Sequence, residues 1–152
     1  MINKQIIKIF TFLFLIVIVL SCKKDVNQPE IDNALIHTYI YEHDLDGTFT
    51  SSGLYYVINE PGLGSHPTIN DKVNCSYKGY TLDGVVFDQN DYIEFGLDRV
   101  IVGWQEGIQL IGKGGKIKLI IPSGLAYGSS GSGSIGPNKV LVFDVTLNDI
   151  VK

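Results

Sequence analysis

The chain is 152 residues long, which sets a single domain as the prior. Sixteen acidic groups against twelve basic ones give a formal net charge of −4 at pH 7. That balance argues against nucleic acid as a partner, because a phosphate backbone calls for a basic face.

The first segment reads as a processing signal rather than part of a fold. Lys4 and Lys8 form a basic start, and residues 9–20 are twelve residues, apolar but for Thr11. Twelve is too few to span a bilayer and suits the hydrophobic stretch of a secretory signal. It ends at Val19-Leu20-Ser21-Cys22, which resembles a bacterial lipoprotein signal: residues 1–21 are removed and Cys22 becomes an acylated N-terminus. An ordinary signal peptide with a coincident cysteine is the alternative. Removal takes Lys4 and Lys8 away and leaves ten basic against sixteen acidic groups, a net −6. Lipid rather than a basic patch then holds the protein to a membrane, each buried methylene contributing about 0.8 kcal/mol. With Cys22 acylated, Cys75 stands alone and no intramolecular disulfide forms. Cys75 alternates with Val73 and Tyr77, which points its thiol into a core.

Residues 22–50 follow as lipidated N-terminus, tether and short helix. Residues 23–33 are polar, contain Pro29 and show no apolar period, so they read as a solvated tether. Lys23-Lys24-Asp25 also faintly resembles the export signal of some surface lipoproteins. Over residues 31–43, Ile36, Tyr39 and Ile40 fall at i, i+3 and i+4, predicting a short helix that ends at Asp46-Gly47.

Residues 51–152 form the predicted globular domain. Residues 53–59 are a strand by their aromatic and β-branched content, closed by Pro61-Gly62. Residues 73–80 form a second strand, and Leu82-Asp83-Gly84 is a tight-turn signal. A third covers residues 85–87 and continues irregularly towards Ile93-Glu94-Phe95-Gly96-Leu97. Trp104, Ile108 and Ile111 lie at i, i+4 and i+7, the stripe of one helix stopped by Gly112. Gly107 inside it costs about 1 kcal/mol relative to alanine, which a close approach of sheet to helix would explain. Residues 116–121 alternate before Pro122. In the last strand, residues 140–150, Leu141, Phe143, Val145 and Leu147 face one way, with Val142, Asp144, Thr146 and Asn148 opposite. The sum is an α+β architecture, an antiparallel twisted sheet of four to six strands wrapped around one short α-helix.

Nothing in the pattern suggests a nucleophile or a metal. His37, His43 and His66 lack zinc-ligand spacing and read as surface groups. Gly112-Lys113-Gly114-Gly115 lacks the order of a phosphate loop and follows a helix instead of opening one, so it is a turn.

Five motifs do stand in a telling order: Tyr77, Val86-Phe87-Asp88, Val100-Ile101-Val102-Gly103-Trp104, Ala126-Tyr127-Gly128 and Val142-Phe143-Asp144-Val145. Over residues 70–150 this order is similar to the FKBP-type peptidyl-prolyl isomerases. The resemblance implies their fold and their reaction, rotation about X-Pro bonds, with no cofactor. It implies Trp104 as the floor under a proline ring, Tyr77, Phe87 and Phe143 as walls, and Val100 and Ile101 along the side. The Ile101 N–H and the Tyr127 hydroxyl would donate to substrate carbonyls, and Asp88 would sit at the rim. Ile135 would come from an overhanging loop. Ile93 stands where the family carries an aromatic, at the short interval of the macrophage-infectivity-potentiator-type bacterial members. Ile135-Gly136-Pro137 replaces the usual Ile-Pro-Pro and follows a Gly/Ser-rich stretch, implying a more mobile loop and weaker substrate contact. Implied partners are X-Pro segments of clients and, in competition, macrolides of the rapamycin type. The implied location is a bacterial cell envelope, lipid-anchored at the outer membrane facing the periplasm, with surface display open. A non-catalytic binding module or holdase, and a scaffold lipoprotein, are the rival readings. Clients and oligomeric state are left open.

Overall fold

The computed structural model describes residues 27–151. The signal segment, Cys22 and Lys23-Lys24-Asp25 lie outside the described residues.

The first helix, α1 (Gln28–Glu42), starts inside the stretch that composition reads as tether. The reason is local: Asn27 accepts the Glu30 N–H on its side-chain oxygen at 3.1 Å, its amide donates back to the Glu30 carboxylate, and Pro29 sits in the first turn, where no N–H is missed. The tether reading of residues 23–33 is therefore corrected: from residue 28 on, the chain is helix. Ile36 and Tyr39 of the expected stripe are buried and Ile40 is half-buried.

Among the described residues, six antiparallel strands make one sheet: β1 (Thr48–Phe49), β2 (Tyr55–Glu60), β3 (Lys72–Thr81), β4 (Val86–Gly96), β5 (Lys116–Ile121) and β6 (Leu141–Val151), in the order β1-β2-β5-β6-β3-β4. The two-residue β1, which no periodicity announces, pairs with Tyr55 and Tyr56. The irregular third strand runs continuously for eleven residues, because register shifts between Cys75/Tyr77 and Gly79/Tyr80 keep it paired to β3.

Helix α2 (Val102–Ile108) crosses the sheet on one face. A Cβ at Gly103 would lie 2.5 Å from an Ile121 methyl, and one at Gly107 2.5 Å from a Leu119 methyl. The two glycines thus let the helix settle directly on β5. The stripe through Ile111 predicts a longer helix than forms; beyond Ile108 the chain tightens into i+3 hydrogen bonds (Leu110 N–H to Gly107 C=O) and Gly112 is held by the Pro61 carbonyl. The main core lies between α2 and the sheet, with Leu141, Phe143, Val145 and Leu147 of β6 on this side, and the Cys75 thiol fully buried there.

A second helix changes the expected picture of one helix in a curled sheet. α1 covers the opposite face, where Ile36 and Tyr39 pack on Tyr55, Ile120, Val140 and Val142. Val142, assigned by alternation to the outer face, is buried under it.

Candidate active site

An apolar cavity of about 310 Å³ opens beside α2. β3 contributes Tyr77; β4 contributes Phe87, Asp88, Ile93 and Phe95; β6 contributes Phe143. Arg99, Val100, Ile101 and Trp104 come from the entry to α2, and Tyr127 from the loop after β5.

These residues meet because β6, β3 and β4 are consecutive neighbours, with Gly79 paired to Phe143 on one side and to Asp88 on the other. Gly79 has no side chain to keep the rings apart. A Cβ there would lie 2.6 Å from Phe143 and 2.8 Å from Phe87, whose rings sit 5.5 Å apart at 82°. Trp104 is the hub: Tyr77 at 5.1 Å and 88°, Phe143 at 5.3 Å and 88°, and Phe95 at 5.5 Å and 62° surround it. Near-perpendicular rings at such spacings place a positive edge against a negative face, worth about 0.5–1.5 kcal/mol per pair beyond burial. Trp104 is 4% exposed, and its indole N–H has no hydrogen-bond partner among the described residues.

The polar groups are few and placed at the rim. The Tyr77 hydroxyl donates to the Asp88 carboxylate at 2.5 Å. Burial, then that bond and the charge behind it, hold the Tyr77 phenol well above its ordinary range. Burial and the same carboxylate raise Tyr127. Both phenols are protonated at neutral pH. Tyr77 has spent its proton on Asp88, whereas the Tyr127 hydroxyl and the Ile101 N–H donate to no described residue. The Ile101 carbonyl is occupied, accepting from the Trp104 and Gln105 amides. The cavity is thus lined by aromatic rings and by two residues with unspent donors.

Tyr77, Phe87, Asp88, Ile93, Val100, Ile101, Trp104, Tyr127 and Phe143 all line this one cavity. Ile135 does not: a tight turn, Ser132 N–H to Ile135 C=O at 2.9 Å and its reciprocal at 2.8 Å, tucks it into the main core at 9% exposure. Two lining residues were not foreseen. Phe95 supplies the aromatic contact on Trp104 that was looked for at Ile93; the two share a strand face at i, i+2, a relation the alternation of β4 carries. Arg99 lines the cavity without a salt bridge to any described residue, and its exposed position left no sequence signal. The histidines stand apart from the site, His37 beside Phe49, His43 stacked on Tyr39 and His66 by the Gln109 carbonyl.

A model of the FKBP-type peptidyl-prolyl cis-trans isomerase family matches residues 64–148, more than half of the chain. FkpA of Escherichia coli K12 is 50% identical over 106 residues, 66% of this chain and 39% of the relative. The probable FkpA of Neisseria meningitidis serogroup B is 48% identical over 103 residues, 64% and 38% of the two chains. The chain thus spans about two-fifths of the length of these curated relatives. Among solved structures, Escherichia coli FkpA superposes with a TM-score of 0.72 at 37% identity over 98% of this chain and 73% of that one. A peptidyl-prolyl cis-trans isomerase of Pseudomonas syringae pv. tomato gives 0.71 at 32% identity, covering 81% and 96%. The chain belongs to the FKBP-type peptidyl-prolyl cis-trans isomerase family.

Proposed function

We propose that the protein accelerates cis-trans rotation about X-Pro bonds in clients within a bacterial cell envelope, held there by lipid on Cys22. The observation that carries the reading is the pairing of a buried aromatic floor at Trp104 with two unspent donors, the Ile101 N–H and the Tyr127 hydroxyl. Amide resonance sets the barrier to rotation at about 18–20 kcal/mol. No bond breaks, so no general base is required; what is required is preference for the twisted imide over the planar one. The planar imide is the more polar, and an aromatic box disfavours it more. Donors at the rim fix the flanking carbonyls while the prolyl ring lies against the indole. A ~10⁴-fold acceleration needs about 5.5 kcal/mol, within reach of these two effects together. Asp88, engaged by Tyr77, stiffens the rim and places a negative field near the rotating carbonyl.

The short interval between β4 and Val100-Ile101 supports the macrophage-infectivity-potentiator-type branch, and the aromatic box supports competition by rapamycin-type macrolides. An exchange assay on an X-Pro peptide, run on the processed chain with and without rapamycin, tests the activity. Macrolide-sensitive catalysis is expected. Uncatalysed rates from the folded protein overturn the reading in favour of a binding module, to be read by suppression of client aggregation. For the anchor, Cys22→Ala should abolish palmitate labelling and move the protein from the membrane to the soluble fraction; unchanged membrane association sinks the lipid reading.

A further inference from the structure

We propose that Asp32, on the helix ahead of the family-matched region, is a positioning residue for Tyr127, so that α1 completes the active site. The inference rests on the isomerase reading above. Asp32 is a carboxylate only 1% exposed, and no cation lies within salt-bridge distance of it among the described residues. Its charge is met by donors instead. One oxygen accepts the Ser123 N–H at 2.8 Å and the Ser123 hydroxyl at 2.6 Å; the other accepts the Gln28 side-chain amide at 2.7 Å. Ser123, equally buried, opens the single turn Ser123–Leu125, and its carbonyl accepts the Ala126 N–H at 3.0 Å. Tyr127 is the next residue. Two hydrogen-bonded steps therefore connect the helix carboxylate to the backbone that aims the catalytic hydroxyl.

Leu125 and Ala126 pack on the main core, and the Tyr127 carbonyl accepts the Gly131 N–H at 3.2 Å, so the Asp32 lock acts together with these contacts on a loop otherwise poor in side chains. Gly124, Gly128, Gly131 and Gly133 have no side chains, and the serines among them at positions 129, 130, 132 and 134 project no apolar group into the core. A buried charge met by two donors on one residue is directional, and a small shift in a donor facing a rotating carbonyl is expensive in rate. Fastening α1 to the sheet does not by itself require this arrangement, since Ile36 and Tyr39 already pack there.

The test is a double-mutant cycle in kcat/KM with melting curves on every variant. Asp32→Asn should lower kcat/KM about five- to tenfold in the wild-type background and less than about twofold in the Tyr127→Phe background, because the two act through one hydroxyl. Ser123→Ala, which keeps the N–H bond, should show the same non-additivity at about two- to threefold and serves if Asp32→Asn does not fold. Ile36→Val loosens α1 without touching the lock and should lower the melting temperature with kcat/KM unchanged. Additive losses in the cycle, or an equal loss from Ile36→Val, overturn the proposal in favour of a structural role. Amide chemical shifts of Ala126, Tyr127 and Gly128 report independently of catalysis. If the wild type proves inactive the isomerase reading falls alone, and these amides, moved or unmoved by Asp32→Asn, decide the positioning.

Discussion

At the scale of single residues, the site is defined as much by what Gly79 lacks as by what its neighbours carry. Gly79→Ala drives a methyl into Phe143 and Phe87, neither of which is a flexible side-chain end. Overpacking of this kind costs about 1–3 kcal/mol. The expected result is a lower urea midpoint together with reduced kcat/KM, while an alanine variant with wild-type activity would show that the rings do not hold the pocket shape. Phe87→Ala removes a wall without touching the donors and should cost about tenfold in kcat/KM, near 1.4 kcal/mol of transition-state stabilisation. The Cys75 thiol, pushed up to about 12 by burial alone, should resist a thiol reagent in the native protein and react once urea exposes it. Rapid native labelling would contradict its place in the core. Most pocket residues were legible from motif order; Phe95 and Gly79 were not, because their roles exist only across strands, in a ring contact and in a register pair.

At the scale of elements, sequence periodicity located both helices and every described strand but the two-residue β1, and it erred where ends are set by tertiary contacts. α1 begins earlier than its apolar stripe because Asn27 and Glu30 cap it, a signal written in the chain but hidden in a polar stretch. α2 stops earlier than its stripe because the backbone at Gly112 is claimed by Pro61. Its Gly107 decides between two opposed effects. Alanine there would gain about 1 kcal/mol of helix propensity, but its methyl would meet Leu119 at 2.5 Å, and such overpacking costs about 1–3 kcal/mol. Gly107→Ala should therefore destabilise, read as a fall in melting temperature. A rise would mean that α2 and β5 have room to separate.

At the scale of the whole molecule, polar groups tie three strands together on the face of the sheet that α1 covers. Lys118 bridges to Asp144 at 2.5 Å and donates to the Tyr80 hydroxyl at 2.6 Å, which itself donates to Asp144 at 3.0 Å. Tyr39 of α1 faces this cluster. Burial first, then the facing phenol for Tyr39 and the Asp144 carboxylate for Tyr80, raise each from 10.0 to about 12. Tyr55, Tyr77, Tyr127 and Cys75 are shifted the same way. The folded state thus holds protons that the unfolded chain releases. This contribution is fully present below the unfolded values and is lost as pH rises through the folded ones. Urea midpoints should fall steadily above about pH 9–10, and a flat profile to about pH 11 would refute the buried, neutral state of these groups.

The sequence by itself determined the α+β class, the inward face of β6, the burial of Cys75 and nine residues that line one cavity. The class, the inward face and the burial follow from periodicity and alternation, which are local properties of the chain, whereas the nine residues follow from the resemblance of its motif order to the FKBP-type family. Only the tertiary structure decided that Ile135 turns into the core, that Phe95 rather than Ile93 meets the indole, and that α1 roofs the opposite face. It alone joined Asp32 to Ser123 across ninety-one positions. Such pairings arise when distant segments compete for the same buried space and the same hydrogen-bond donors, and a linear pattern carries no record of that competition.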